Sequence, residues 1–298
     1  MPRNFLRAVI FDLGGTLMYE RAAWNAIIPQ ADEALTSYLR EQGMELNLSS
    51  FPREFRKRLD QYFKKREKDL LETTYSFVLR DVLSDKGYKD VPDTLVRSAL
   101  DRLFAVTQTN WILEEDTLST LQKLEEDGYR LGLISNAGDD QDVQQLAHRF
   151  DIFRYFDFIL TSAACSYRKP HPRIFELALS NWYFLPSEAV MVGDNPDADI
   201  RGAKSAGLYA VWISRRAGIQ NGDPLPVQPD ASLPTLSELP ALLDRLTRQE
   251  RRVLDLRFGL TGNGTHSLRQ IGHLLRISKE RVRQIQNRAL EKLRSSAE

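Results

Sequence analysis

Asp12 stands directly after the apolar run Ala8-Val9-Ile10-Phe11 and before Leu13-Gly14-Gly15-Thr16. A continuous apolar run closed by glycines reads as a strand buried on both faces of a parallel sheet. An acid at the carboxyl end of such a strand lies where open α/β sheets keep their ligands. The glycines let the backbone turn sharply and approach an anion, so the chemistry to expect there is chemistry on an anion. By itself the stretch fits a core strand ending in a turn aspartate equally well. Two later apolar runs end the same way. Leu131-Gly132-Leu133-Ile134 meets Ser135-Asn136, and Ala189-Val190-Met191-Val192-Gly193 meets Asp194, with Asp199 further along. Between them Lys169 opens Lys169-Pro170-His171-Pro172, which alone would be an ordinary loop.

The elements that must position these residues alternate along the chain. Phe156–Thr161 and Tyr209–Ile213 read as further strands. Leu118, Leu121 and Leu124 mark a helix that stops at Gly128. Pro229–Leu233 and then Leu236–Leu246 read as a closing edge and a final helix. Residues 21–108 differ from this alternation and carry helical spacing. Ala31, Ala34, Leu35, Tyr38 and Leu39 form one stripe; Phe51, Phe55, Leu59 and Phe63 a second; Val96, Leu100, Leu103 and Phe104 a third. Such a segment is too long for a loop and reads as an all-helical insertion.

Composition narrows the setting. Of 298 residues 42% are apolar, enough for a sizeable core. No apolar run approaches the ~20 residues needed to span a membrane. Cys165 is the single cysteine, so no internal disulfide can form, and a cytoplasmic protein fits best. The formal net charge is zero, yet residues 245–298 hold 13 Lys and Arg against 5 Asp and Glu. A basic tail on an acidic body points to a polyanionic partner, or to a tail that docks on the body itself.

The four stretches resemble, in order, the four motifs of the haloacid dehalogenase (HAD) superfamily. The resemblance covers residues 8–213 and implies a role for each residue. Asp12 is the nucleophile of motif I. Ser135, in motif II, hydrogen-bonds the transferring phosphoryl group, with the Asn136 backbone beside it. Lys169, in motif III, balances the charge of carboxylate and phosphate oxygens. Asp194 and Asp199 belong to motif IV, the first as a metal ligand and the second as a supporting acid. Gly14 gives the metal its backbone carbonyl. Oxygen-only ligation of this kind suits Mg²⁺. The helical insertion corresponds to the cap that closes over the active site.

One position departs from the family. Its phosphatases carry a second aspartate two residues after the nucleophile, as general acid and base; here that position is Gly14. Such a group is typically worth ~10²–10⁴-fold in rate. Three readings remain: a hydrolase for substrates with good leaving groups, dehalogenase-type attack on carbon, or a weak or dead ligand-binding module. The lysine and the Gly-Asp…Asp run suit phosphate and metal better than carbon.

The tail has its own pattern. Residues 246–260 form an amphipathic helix with Thr247 as the expected N-cap and Glu250 three residues on. Gly259, Gly262 and Gly264 form a turn. Ser267 starts a second helix, and Lys279–Leu293 a third that is rich in arginine. Helix, short turn and basic helix make a helix-turn-helix. Arg251–Leu260 and Ser278–Arg294 resemble region 4 of the sigma-70 family. That resemblance implies reading of a −35-like element by Lys279, Glu280, Arg283 and Gln284, a chemically sensible set for base edges. Arg281 and Arg288 are placed for phosphates. It also implies contact with RNA polymerase. A plain docking module with solvated arginines is the alternative.

The expected fold is therefore a three-layer, Rossmann-like α/β sheet with an inserted helical cap, plus an all-α helix-turn-helix domain. Residues 1–18 and 112–245 form the core, 19–111 the cap and 246–298 the tail domain. The expected function is a Mg²⁺-dependent phosphate-handling hydrolase joined to a promoter-DNA and polymerase-binding domain. A small phosphorylated metabolite, double-stranded DNA and RNA polymerase are its expected partners, with no membrane. The alternatives are a dead sensor domain on a transcription factor, and a metabolic phosphatase whose tail serves only protein interaction.

Overall fold

Four consecutive apolar side chains can be satisfied only where both faces of a sheet are covered. β1 (Ala8–Phe11) meets that condition, with all four side chains fully buried. The computed structural model describes residues 6–216, 226–243, 248–258 and 265–294. The expected N-cap Thr247 and the turn glycines Gly259, Gly262 and Gly264 lie outside the described residues.

The other strands are β2 (Met18–Glu20), β3 (Trp111–Leu113), β4 (Arg130–Ser135), β5 (Phe158–Thr161), β6 (Ala189–Gly193), β7 (Tyr209–Ile213) and β8 (Ala231–Leu233). Six of them form one parallel sheet in the order β5-β4-β1-β6-β7-β8. The chain builds outward from β1 to β4 and β5, then returns to the other flank of β1 at β6. Ligands gather at the strand carboxyl ends beside such a switch in direction. In register, Phe11 lies between Leu133 and Val192. The ends of the three central strands therefore bring Asp12, Ser135 and Asp194 to one edge.

The helices of this unit are α1 (Trp24–Glu41), α2 (Phe51–Asp69), α3 (Tyr75–Asp85), α4 (Asp93–Thr107), α5 (Thr117–Glu126), α6 (Asp140–Arg149), α7 (Ser162–Cys165), α8 (Pro172–Ser180) and α9 (Gly202–Ser205). Ala8 and Ile10 face a core shared with Phe175, Ala178 and Ala203. Alternation turns Val9 and Phe11 to the opposite face. The insertion α1–α4 has its own core, built from Leu35, Phe55, Leu79 and Leu100 among others. Its three expected stripes are all represented there. Three elements had no clear trace in the sequence: α3, and the strands β2 and β3 of three residues each. Those strands pair antiparallel, Glu20 opposite Trp111, and bracket the insertion.

The chain divides into two compact units, one spanning Arg7–Leu236 and the other joining Leu6 to the described residues from Ser237 onward. This division falls earlier than the change in charge, because composition records where arginines accumulate rather than where packing changes. The second unit holds α10 (Leu239–Leu243), α11 (Arg248–Phe258), α12 (Leu268–Leu275) and α13 (Lys279–Arg294). Val253, Leu256, Ile271, Val282 and Ile285 form its core. Ser267 caps α12 in a reciprocal pair with Gln270. The turn into α13 is tight: Ile277 N–H donates to Gly272 O at 2.9 Å. A side chain at Gly272 would put its first carbon 2.7 Å from the Ile277 carbonyl oxygen.

Candidate active site and candidate nucleic-acid interface

Three carboxylates and one ammonium meet at the sheet edge. Lys169 Nζ donates to Asp12 Oδ1 at 2.5 Å and to the Ile134 carbonyl at 3.0 Å. It also lies 2.7 Å from Asp199 Oδ1, which is buried and ion-paired with it. Asn136 fixes the lysine from behind. Its Nδ2 donates to Lys169 O at 2.9 Å, and its Oδ1 accepts from Lys169 N at 2.8 Å. The neighbouring Ala137 N–H is already taken by Ser162 Oγ at 3.0 Å.

Local backbone explains where the acids point. Gly15 takes a left-handed φ of 84°, and a side chain there would strike the Asp194 carboxylate. A side chain at Gly193 would strike Asp199 in the same way. Thr16 Oγ1 donates to Asp194 Oδ1 at 3.3 Å, and Trp212 Nε1 to its backbone oxygen at 2.8 Å. A π-helical turn, Pro196–Arg201, follows. Asn195 caps it and donates its own N–H to Asp199 Oδ2 at 3.0 Å.

Electrostatics at this edge favour a bound cation. One oxygen from each of Asp12, Asp194 and Asp199 lies within 4.8 Å of the others. With all three ionised, Lys169 leaves two negative charges unbalanced. Burial pushes Asp12 up to about 6, against the pull of Lys169. Burial, then repulsion from Asp12 and Asp199, pushes Asp194 up to about 7. Burial alone would lower the Lys169 ammonium, but Asp12 and Asp199 more than offset that and raise it. A hard divalent cation with oxygen ligands fits this set.

The edge opens into a cavity of about 490 Å³. Asp12, Gly14, Ser135, Asn136, Lys169, Asp194 and Asp199 all line it, so every expected residue of the first unit falls in one place. Its outer wall was not legible in the sequence. Arg66 and Arg168 share the fully buried Glu72, which also accepts from Ser162 Oγ at 2.5 Å. That trio carries net positive charge, and among the described residues Arg66 Nε has no hydrogen-bond partner. Burial, then repulsion from Arg168, lowers the Arg66 guanidinium. Trp24, Phe63, Tyr75 and Trp111 complete the wall. None of these aromatic or arginine positions has a spacing that marks it, because their meeting depends on how the insertion folds back.

In the second unit Lys279, Glu280, Arg281, Arg283 and Gln284 are all exposed on the first turns of α13. Arg283 pairs with Glu280 at 2.7 Å, and Arg281 donates to Gln284 at 3.4 Å. Both contacts lie within one exposed helix, and such pairs resist little when another partner arrives. Arg288 belongs to the same helix, but its side chain is outside the described residues.

Lys169 generates the sharpest stability expectation. Lys169→Met leaves two buried carboxylates without counter-charge, which typically costs about 3–5 kcal/mol. Thermal denaturation of the metal-free variant should show that loss, and added Mg²⁺ should restore part of it. Equal stability of variant and parent without Mg²⁺ would contradict the charge balance described above.

The profile of haloacid dehalogenase-like hydrolases matches residues 6–207. That of sigma-70 region 4 matches residues 242–295. The chain is 31% identical to the glyceraldehyde 3-phosphate phosphatase of Methanopyrus kandleri, over 74% of this chain and 88% of that enzyme. It is 38% identical to the phosphoserine phosphatase of Thermus thermophilus, but spans only 43% of it. Among solved structures, a HAD phosphatase from Thermococcus onnurineus aligns with a TM-score of 0.56 at 28% identity, over 80% of this chain and 98% of that one. A 2-haloacid dehalogenase from Pseudomonas syringae aligns at 0.59 and 29%, over 80% and 99%. The chain belongs to the haloacid dehalogenase-like hydrolases and carries a sigma-70 region 4 domain in its second unit.

Proposed function

We propose that Asp12 takes a phosphoryl group from a small phosphorylated metabolite, and that the second unit engages promoter-type duplex DNA or RNA polymerase. The chain is then a cytoplasmic, transcription-linked regulator. The convergence of Asp12, Lys169, Asp194 and Asp199 on one cavity carries this reading. Asp12 is the nucleophile on phosphorus. Lys169 neutralises charge on the incoming oxygens. Ser135 and the Asn136 backbone orient the phosphoryl group. Asp12, Asp194, Asp199 and the Gly14 carbonyl would hold Mg²⁺, which supplies positive charge to the transferring oxygens when bound. The net positive Arg66–Glu72–Arg168 trio draws an anionic substrate into the cavity. The phosphatase relatives support this substrate class, and three clustered carboxylates with a buried lysine suit phosphorus better than carbon.

Gly14 favours a second reading, a sensor that binds the metabolite with little turnover. A third keeps the phosphatase and gives the tail only protein partners. Phosphate release from phosphomonoesters and acyl phosphates with Mg²⁺ decides the enzyme. Release that vanishes in Asp12→Asn supports the hydrolase; no release from the parent and no phosphoryl group left on Asp12 supports the sensor.

DNA binding is read separately. Binding to −35-like duplexes should weaken steeply with salt. Arg283→Ala should lower it by about 1–3 kcal/mol and relax preference at one base pair. Salt-insensitive binding, or none, would leave protein partners as the role of the tail.

A further inference from the structure

The second half of a phosphoryl transfer through Asp12 needs something to take a proton from water. Gly14 offers no side chain for this, and the space beside it is filled. A first side-chain carbon at Gly14 would lie 3.1 Å from Trp111 Cη2. The Trp111 ring is held in place from two sides. Trp24 packs edge-on against it, with ring centres 5.5 Å apart. Its backbone pairs with Glu20 in the β2–β3 ribbon. Asn110, one residue earlier, clasps Ala22 through both its amide atoms, at 2.9 and 3.0 Å. An indole accepts no proton.

Most of the other acids lining the cavity are paired with a cation or face the cation position. Lys169 is an ammonium between two carboxylates. Asp194 and Asp199 face the cation position. Asp139 caps α6 and is paired with Arg97 at 2.8 Å. Asp142 accepts from Gln108 at 2.9 Å and is the one remaining acid of the wall.

From this we infer that Asp12 is loaded by acyl phosphates and that its aspartyl-phosphate persists, a state of the chain rather than a passing intermediate. The inference rests on the phosphate-handling reading above and names its substrate class. Loading balances without an acid. An Asp12 oxygen bonds to phosphorus, the bond from phosphorus to the acyl oxygen breaks, and the leaving group departs as a carboxylate that needs no proton. An ester would expel an alkoxide, which does need one. Release from Asp12 requires water to bond to phosphorus and give up a proton as the bond to Asp12 breaks. Trp111 accepts no proton there, and among the described residues Asp142 is the one acid of the wall neither paired with a cationic side chain nor facing the cation position.

The full chain is incubated with acetyl phosphate and Mg²⁺, then quenched in acid and weighed by intact mass spectrometry. The expected result is one added phosphoryl group, absent in Asp12→Asn, that decays slowly after the donor is removed. Gly14→Asp should shorten its lifetime by about 10²–10⁴-fold. Should that variant not fold, Trp111→Ala replaces it. There the added base imidazole should speed adduct loss, while the parent stays insensitive. Rapid phosphate release by the parent with no adduct would overturn the inference and leave the hydrolase intact. No adduct and no release, in parent and Gly14→Asp alike, would overturn both. An adduct that accumulates only in Asp142→Asn would make Asp142 the proton carrier and also overturn the inference.

Discussion

A single buried ammonium underlies the active-site geometry. Lys169 lies between Asp12 and Asp199, and its backbone is clamped by Asn136. Without it, β1 would end in a buried, uncompensated charge, which a fold of ordinary stability tolerates poorly. With it, two carboxylates sit at hydrogen-bonding range of one cation, and a third, Asp194, is drawn in by Thr16 and the Gly15 turn. One ammonium against three acids is an incomplete neutralisation. A bound divalent cation would complete it.

Small residues let the groups approach. Gly15 and Gly193 stand where any side chain would displace Asp194 or Asp199. Gly14 is different, because its missing side chain makes room for Trp111 rather than for a carboxylate. The wall of the cavity therefore combines aromatic rings, Trp111 against Gly14 among them, with the cations Arg66 and Arg168.

Much of this was legible in the sequence. Parallel strands buried on both faces announce themselves as apolar runs, so the ends of β1, β4 and β6 could be located with their acids and serine. The basic helix could be placed because Val282, Ile285 and Ala289 mark its buried face and leave the charged positions outside. The outer wall of the cavity could not be read. Glu72 meets Arg168 across 96 residues, and Trp111 meets Gly14 across a whole helical insertion. Such pairs have no periodic signature, because only the folded insertion brings them together. The β2–β3 ribbon was equally hidden, since three-residue strands carry too little alternation to register.

The convergence of Asp12, Asp194, Asp199 and the Gly14 carbonyl on one cation is tested most directly by Mn²⁺, a spectroscopic and anomalous-scattering substitute for Mg²⁺. Crystals of the full chain grown with Mn²⁺ should show one anomalous peak bonded to those oxygens, with Lys169 still against Asp12. A vacant cluster with Mn²⁺ bound elsewhere, or carboxylates turned away from one another, would contradict it.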